Sequence, residues 1–241
     1  MGNSEAIGAF PATSWSLIGR VASGDAADSR RALGVLLEMY LPALRARLIV
    51  DRRVNPNLAQ DVLQGFVADK ILAQELISRA SRERGKFRSF VLTALDRYLI
   101  DRLRGKASAS RNASSMASEV EQLPAPGQGP CDAFVREWAR QLVAQAVKRM
   151  EAECAARNRP DLWALFRGRL LECGPDGAQP APYGQFMAEF GFTSVAQASN
   201  ALVTAKRMFL RCLRSVVAEY IEDPAQIDAE IADIRAALEG T

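Results

Sequence analysis

Leu33, Leu36, Leu37, Tyr40, Leu44 and Leu48 return every three or four residues, the spacing that lines large apolar side chains along one face of an α-helix. The same period recurs in segments of both halves of the chain, while alternating runs of β-branched residues, which mark half-buried strands, are nearly absent. The expected fold is therefore all-α. With 241 residues, 49% of them hydrophobic and 24% charged, the chain is long enough to close such faces into one or two cores.

Four helices are expected in the first half. They run from Trp15 to Ala22, stopped by Ser23, Gly24 and Asp25; from Asp28 to Leu48, bent at Pro42; from an Asn57 cap to about Ser78; and from Arg88 to about Arg104. The third turns Leu58, Val62, Phe66, Leu72 and Leu76 inward, the fourth Phe90, Val91, Leu95, Leu99 and Leu103. Residues 107–130, ASASRNASSMASEVEQLPAPGQGP, are rich in Ser, Ala, Gly and Pro and nearly devoid of large apolar groups. Such a stretch buries too little surface to offset its ordering entropy, so a flexible linker is expected there, with one domain over 1–106 and another over 131–241.

In the second half, Asp132 to Arg157 reads as a long helix with Phe134, Trp138, Leu142, Val147, Met150 and Cys154 on one side. Pro160 opens another helix that stops at Gly174 and Pro175. After a loop of Gly and Pro come Tyr183 to Phe190, the turn GFTS, a helix from Val195 to Tyr220, and a last helix from Asp223 carrying Ile227, Ile231, Ile234 and Leu238.

Composition narrows the chemistry. The chain has no histidine, which removes the commonest general base and a principal metal ligand. Cys131, Cys154, Cys173 and Cys212 are scattered without a CxxC, so reduced and mostly buried thiols are expected, with neither a zinc site nor a redox pair. No nucleophile with its base, no paired carboxylates and no glycine-rich phosphate loop stand out. No catalytic residue, metal or cofactor is expected. The start MGNSEAIGAFPATSW lacks a basic stretch followed by an apolar run, and no segment has the length of apolar sequence that a bilayer span needs. A cytoplasmic protein without membrane attachment is expected.

Charge is uneven along the chain. Between Arg79 and Lys106 nine basic residues face three acidic ones, whereas from Glu219 to Glu239 seven acids face Arg235 alone. A basic middle with an acidic tail suits a polyanionic partner. The segment SRASRERGKFRSFVLTALDRYLIDRLRGK interleaves its arginines with Phe87, Phe90 and Tyr98, the combination that unstacked bases and a phosphate backbone require. Its other reading is a core of Phe90, Leu95 and Leu99 beneath a solvated basic surface, although Phe87, expected in a loop beside Gly85, fits a core less readily. Asp61, Gln64 and Ala68 form a stripe opposite the apolar face of their helix, which taken alone reads as a solvated face.

The segment PYGQFMAEFGFTSVAQASNALVTAKRMFLRCLR reads as helix, glycine turn and longer helix. Ser194 with Gln197 three residues on makes a capping box that fixes where the second helix begins. Such a helix start can enter a major groove: Gln197, Ser199, Asn200 and Thr204 can meet base edges, while Lys206, Arg207, Arg211 and Arg214 can neutralise phosphates. A structural hairpin with a glycine corner has the same pattern.

In this order the elements resemble the extracytoplasmic-function (ECF) type of RNA polymerase sigma factor, of the sigma-70 family. The matching stretches are FPATSWSLIGRVASGD, LAQDVLQGFVADKIL, RERGKFRSFVLTALDRYL, DAFVREWARQLVAQAV, YGQFMAEFGF with the helix after it, and EDPAQIDAEIADIRAAL. The resemblance covers both halves outside the linker. It implies a sigma region 2-like helical bundle and a sigma region 4-like helix-turn-helix domain holding core RNA polymerase, at its clamp coiled coil and flap, together with promoter DNA. By the same resemblance Asp61, Gln64, Gly65 and Ala68 bind the clamp. Arg84, Lys86, Phe87, Arg88, Ser89 and Arg97 would read and melt the minus-ten element. Ser194, Gln197, Ser199, Asn200, Thr204, Lys206 and Arg207 would read the minus-thirty-five element. An anti-sigma factor or another regulator is a further implied partner.

The chain departs from the family pattern in two places. The first two turns of the recognition helix, VAQASNALVTA, carry no lysine or arginine, and GFVADK keeps only Phe66 of the aromatic residues usual there. Two rival functions stay open beside the promoter-specificity subunit. One is a repressor that binds duplex DNA without polymerase; the other is a polymerase adaptor whose DNA address comes from another protein.

Overall fold

The computed structural model describes residues 15–23, 25–72, 87–109, 132–172, 179–219, 221 and 223–239. Nine α-helices and no strand occur among them. These are α1 (Trp15–Ser23), α2 (Ala26–Ala46), α3 (Pro56–Phe66), α4 (Phe87–Ala109), α5 (Asp132–Ala156), α6 (Pro160–Phe166), α7 (Tyr183–Phe190), α8 (Val195–Ala218) and α9 (Pro224–Glu239). Three of them, α2, α3 and α6, widen into a π-helical turn at their C-terminal ends, over Arg47–Asp51, Val67–Leu72 and Arg167–Leu171.

The chain forms two compact units, 1–141 with 217–241, and 142–216. The first therefore takes in 132–141 and 217–241, which the sequence reading gave to the second domain. Residues 110–131, most of the expected linker, lie outside the described residues, and 107–109 are the last turn of α4.

In the first unit, Asp25 begins α2 by accepting the Ala27 and Asp28 amides at 2.9 and 2.7 Å, and α1 packs on α2. The third helix is capped two residues before the expected position. Asn55, not Asn57, accepts the Leu58 amide at 2.9 Å, with Pro56 at the first helical position, where its missing N–H costs nothing. Leu44, Leu48, Ala59, Val62, Phe66, Leu95 and Leu99 form a dry centre. Leu72, expected inside, is 55% exposed, because the π turn moves Ile71 into the core in its place.

Inside this apolar centre lies a charged group that helix periodicity does not reveal. Asp96 is 1% exposed and takes both Nε and Nη2 of Arg52, the first at 2.9 Å, with Arg47 Nη2 at 3.1 Å. Arg47 Nη1 also stands 3.7 Å from Asp51. Two guanidinium groups and two carboxylates thus balance one another away from water, which is what allows charges to be buried at all. The Asp51 carboxylate faces the start of α5 and accepts the Ala133 amide at 3.3 Å. Burial is the chief cause that pushes the Asp51 carboxyl above the usual carboxylate range, against the lowering influence of the α5 amides and Arg47. The Tyr40 and Trp138 rings meet at a tilt of 50° beside this joint, with centroids 4.7 Å apart.

The second unit has its own core of Leu142, Met150, Cys154, Leu165, Phe166, Leu202, Met208 and Cys212. Gly191, with φ at 71°, closes α7 in the left-handed conformation and bonds its amide to the Met187 carbonyl at 3.0 Å. Ahead of α7, Arg169 donates to the Ala181 carbonyl at 2.8 Å and lies 4.2 Å over the Tyr183 ring, which pins the entry to the hairpin.

Candidate functional site

The residues expected to meet the polymerase clamp divide into two kinds. Asp61, Gln64 and Ala68 are exposed along one side of α3 and its π turn. Gly65 instead faces inward: a Cβ there would collide with the Tyr98 hydroxyl. That hydroxyl donates to Asp69 Oδ2 at 2.6 Å, and its ring stands edge-on to Phe66 at 5.7 Å. Gly65 is thus where α4 approaches α3 closely, and its place in the sequence pattern has a packing cause. Burial, then the Asp69 hydrogen bond, raise the pKa of Tyr98 above its ordinary value.

Gln64 and Ala68 border a groove of about 870 Å³ within the first unit. Leu41, Ile49, Val50, Leu63, Val67 and Leu72 supply its apolar lining, and Arg45, Gln60, Arg136 and Arg140 stand among its polar residues. Val50 is 61% exposed, so the groove carries large apolar surface in contact with water. Gln60, Val50 and Arg45 did not emerge from the sequence. Leu72 reads as an ordinary core position in the sequence, and the π turn rotates it outward.

Of the residues expected at the minus-ten element, Arg84 and Lys86 lie outside the described residues. Phe87, Arg88 and Ser89 form the first turn of α4, so Phe87 is helical and the expected loop position is corrected. Arg97 is exposed, as are Arg102 and Arg104 further along the helix. The helix separates its charges: Asp96 points into the core and these arginines face water, since only a paired carboxylate can be buried without a large desolvation cost.

The hairpin of α7 and α8 forms as the glycine corner predicts, but several of its polar groups are already engaged. Ser194 Oγ accepts the Gln197 amide at 3.2 Å. Gln197 Oε1 accepts both the amide and the hydroxyl of Thr193, at 2.7 and 3.0 Å, so the reciprocal bond goes to Thr193 in place of Ser194. Thr204 donates its hydroxyl to the Asn200 carbonyl at 3.1 Å. Ser199 is half-buried, while Asn200, Lys206 and Arg207 are exposed. Arg211 pairs with Glu153 at 2.5 Å, which leaves it less available to a phosphate. Val195 and Val203 are 54% and 44% exposed in the N-terminal half of the helix.

The described cysteines, Cys154 and Cys212, are buried and free. Cys131 and Cys173 lie outside the described residues. No group of three or more metal-ligating side chains and no helix long and apolar enough to cross a membrane occur among the described residues. No family model, no curated protein and no solved structure matches the chain.

Proposed function

We propose that this chain is a promoter-specificity subunit of RNA polymerase of the extracytoplasmic-function type. The observation that carries the reading is one chain holding two unlike exposed surfaces: the Asp61, Gln64 and Ala68 stripe beside an open apolar groove, and a helix-turn-helix whose second helix has no acidic residue. The first surface has the size and mixed character of a helix-binding groove, into which the clamp coiled coil would dock. The second suits duplex DNA. The arginines of α4, with Arg84 and Lys86 before it in sequence, would hold the displaced single strand, and binding energy there would drive melting. The polymerase supplies the catalysis.

The test is co-purification of the full chain with core RNA polymerase, followed by transcription from promoter libraries. Binding to core together with selection of a promoter is the expected result; a chain that ignores core sinks the reading. The absence of cations from the first two turns of α8 favours the adaptor as the second reading. It would bind core yet select no upstream sequence.

A further inference from the structure

We infer that α8 reads A·T base pairs in a major groove through the row Ala196, Asn200 and Val203, with Asn200 on an adenine and the two flanking side chains on thymine methyl groups. The inference rests on the proposed function for its setting and goes beyond it by naming the class of base pair.

These three residues are spaced four and three apart, so they share one helix face, and Arg207 continues the row one turn later. All four are exposed. The buried side of the same helix is occupied by Ala198, Leu202, Ala205 and Met208, which leaves the row pointing away from the unit's core. Hydrogen bonding then decides which polar groups are free to read. An adenine edge needs one acceptor and one donor from a single amide. Gln197 cannot supply them while its oxygen holds both Thr193 groups, because leaving the cap would cost about 1 kcal/mol. The Thr204 hydroxyl proton is spent on the helix backbone. The Asn200 amide bonds to no described residue and keeps its donor and acceptor together.

On either side of Asn200 the row offers only methyl groups. Exposed methyl groups on a groove-entering helix suit the thymine C5-methyl, the apolar feature of the major-groove edge. Guanine is read most often by arginine or lysine, and the first such residues on α8 are Lys206 and Arg207. Nucleic acid is favoured as the occupant by charge: from Val195 to Ala218 the helix carries Lys206, Arg207, Arg211 and Arg214 and no aspartate or glutamate. A protein surface is the competing occupant.

The test uses the full chain, alone and bound to core RNA polymerase, with duplexes randomised over the upstream element. The enriched element should contain an adenine flanked by thymines. Replacing either of those thymines by deoxyuridine should lower retention about fourfold, the worth of one buried methyl group, and Val203→Ala should abolish sensitivity at one of them. Asn200→Ala should lower retention of the enriched element by at least about fivefold, the lower end for a bidentate contact, and abolish the adenine preference at one position. Enrichment of G·C pairs, indifference to deoxyuridine, or an equal effect of Asn200→Ala on all sequences would overturn the inference even if core binding and promoter selection hold. Enrichment of the expected element by a chain that ignores core would keep the inference and sink the proposed function. If no duplex is enriched in either setting, the inference falls and the row belongs to a protein contact.

Discussion

The Asp51 carboxylate accepts the amide N–H of Ala133 across a sequence distance that includes the whole of α3 and α4. The start of α5 is thereby built into the first unit, with Phe134 and Trp138 buried behind it. Asp51→Ala removes the acceptor of that amide and the carboxylate 3.7 Å from Arg47 Nη1, and should cost about 1–3 kcal/mol. The checks are thermal melting and faster hydrogen exchange at Ala133.

The sign of the pH dependence at this joint is opposite to that of an ordinary surface carboxylate. Asp51 has a folded pKa above its unfolded value of about 3.9. Its contribution to stability is therefore fully present below the unfolded pKa and is lost as pH rises through the folded one. Asp51→Asn, which keeps a carbonyl acceptor for Ala133, should gain on the wild type as pH rises toward neutrality. Melting both proteins across this range checks the direction. A wild type that gains on the variant instead would mean that Arg47 outweighs burial.

Gly65→Ala should destabilise the first unit by about 1–3 kcal/mol, because the added methyl must displace the Tyr98 hydroxyl from Asp69. Tyr98→Phe removes the colliding oxygen and should recover part of the loss. Denaturant unfolding of the two single variants and the double variant measures the coupling. Additive losses would mean that Gly65 and Tyr98 do not meet.

At the groove, Ala68→Glu sets a charge beside Val67 and Leu72 on an exposed site, so stability should change by less than about 0.5 kcal/mol. Binding to core polymerase should fall by more than tenfold. Asp61→Ala with Gln64→Ala should weaken core binding as well, again without a change in melting temperature. Loss of fold in either variant would assign the stripe to the structure of the bundle.

Cys212 has its pKa pushed up to about 11, by burial first and then by the hydrogen bond from its Sγ to Glu153 Oε2 at 3.4 Å. The thiolate is the reactive form. Iodoacetamide at neutral pH should therefore leave Cys154 and Cys212 unmodified in the folded protein and label both once it is unfolded. Mass spectrometry of the digested protein reads the result, and rapid labelling of the native chain would contradict the burial of both thiols.

Helix existence was legible in the sequence because apolar period and corner residues pointed the same way. Gly191 stops α7 and Pro160 opens α6 as expected. The errors arise where a local signal had a neighbour of equal chemistry, as with Asn55 and Asn57, or where a π turn changed the facing of the residues after it, as with Leu72. The site was legible only in outline. Asp61, Gln64, Asn200 and Arg207 are exposed as expected, but the engagement of Gln197 by Thr193 depends on geometry that spacing does not contain. The buried partners of Asp96 were also invisible, since arginines at 47 and 52 look like surface residues until the chain brings them to the same carboxylate.

That burial changes what an approaching molecule meets. Asp96 belongs to the basic segment in any count of formal charge, yet it sits inside a neutral group with Arg47, Arg52 and Asp51 and projects little field outward. Along the described outer side of α4 a visitor encounters Arg97, Arg102 and Arg104 against Asp101. The helix therefore shows solvent a more cationic surface than its sequence declares.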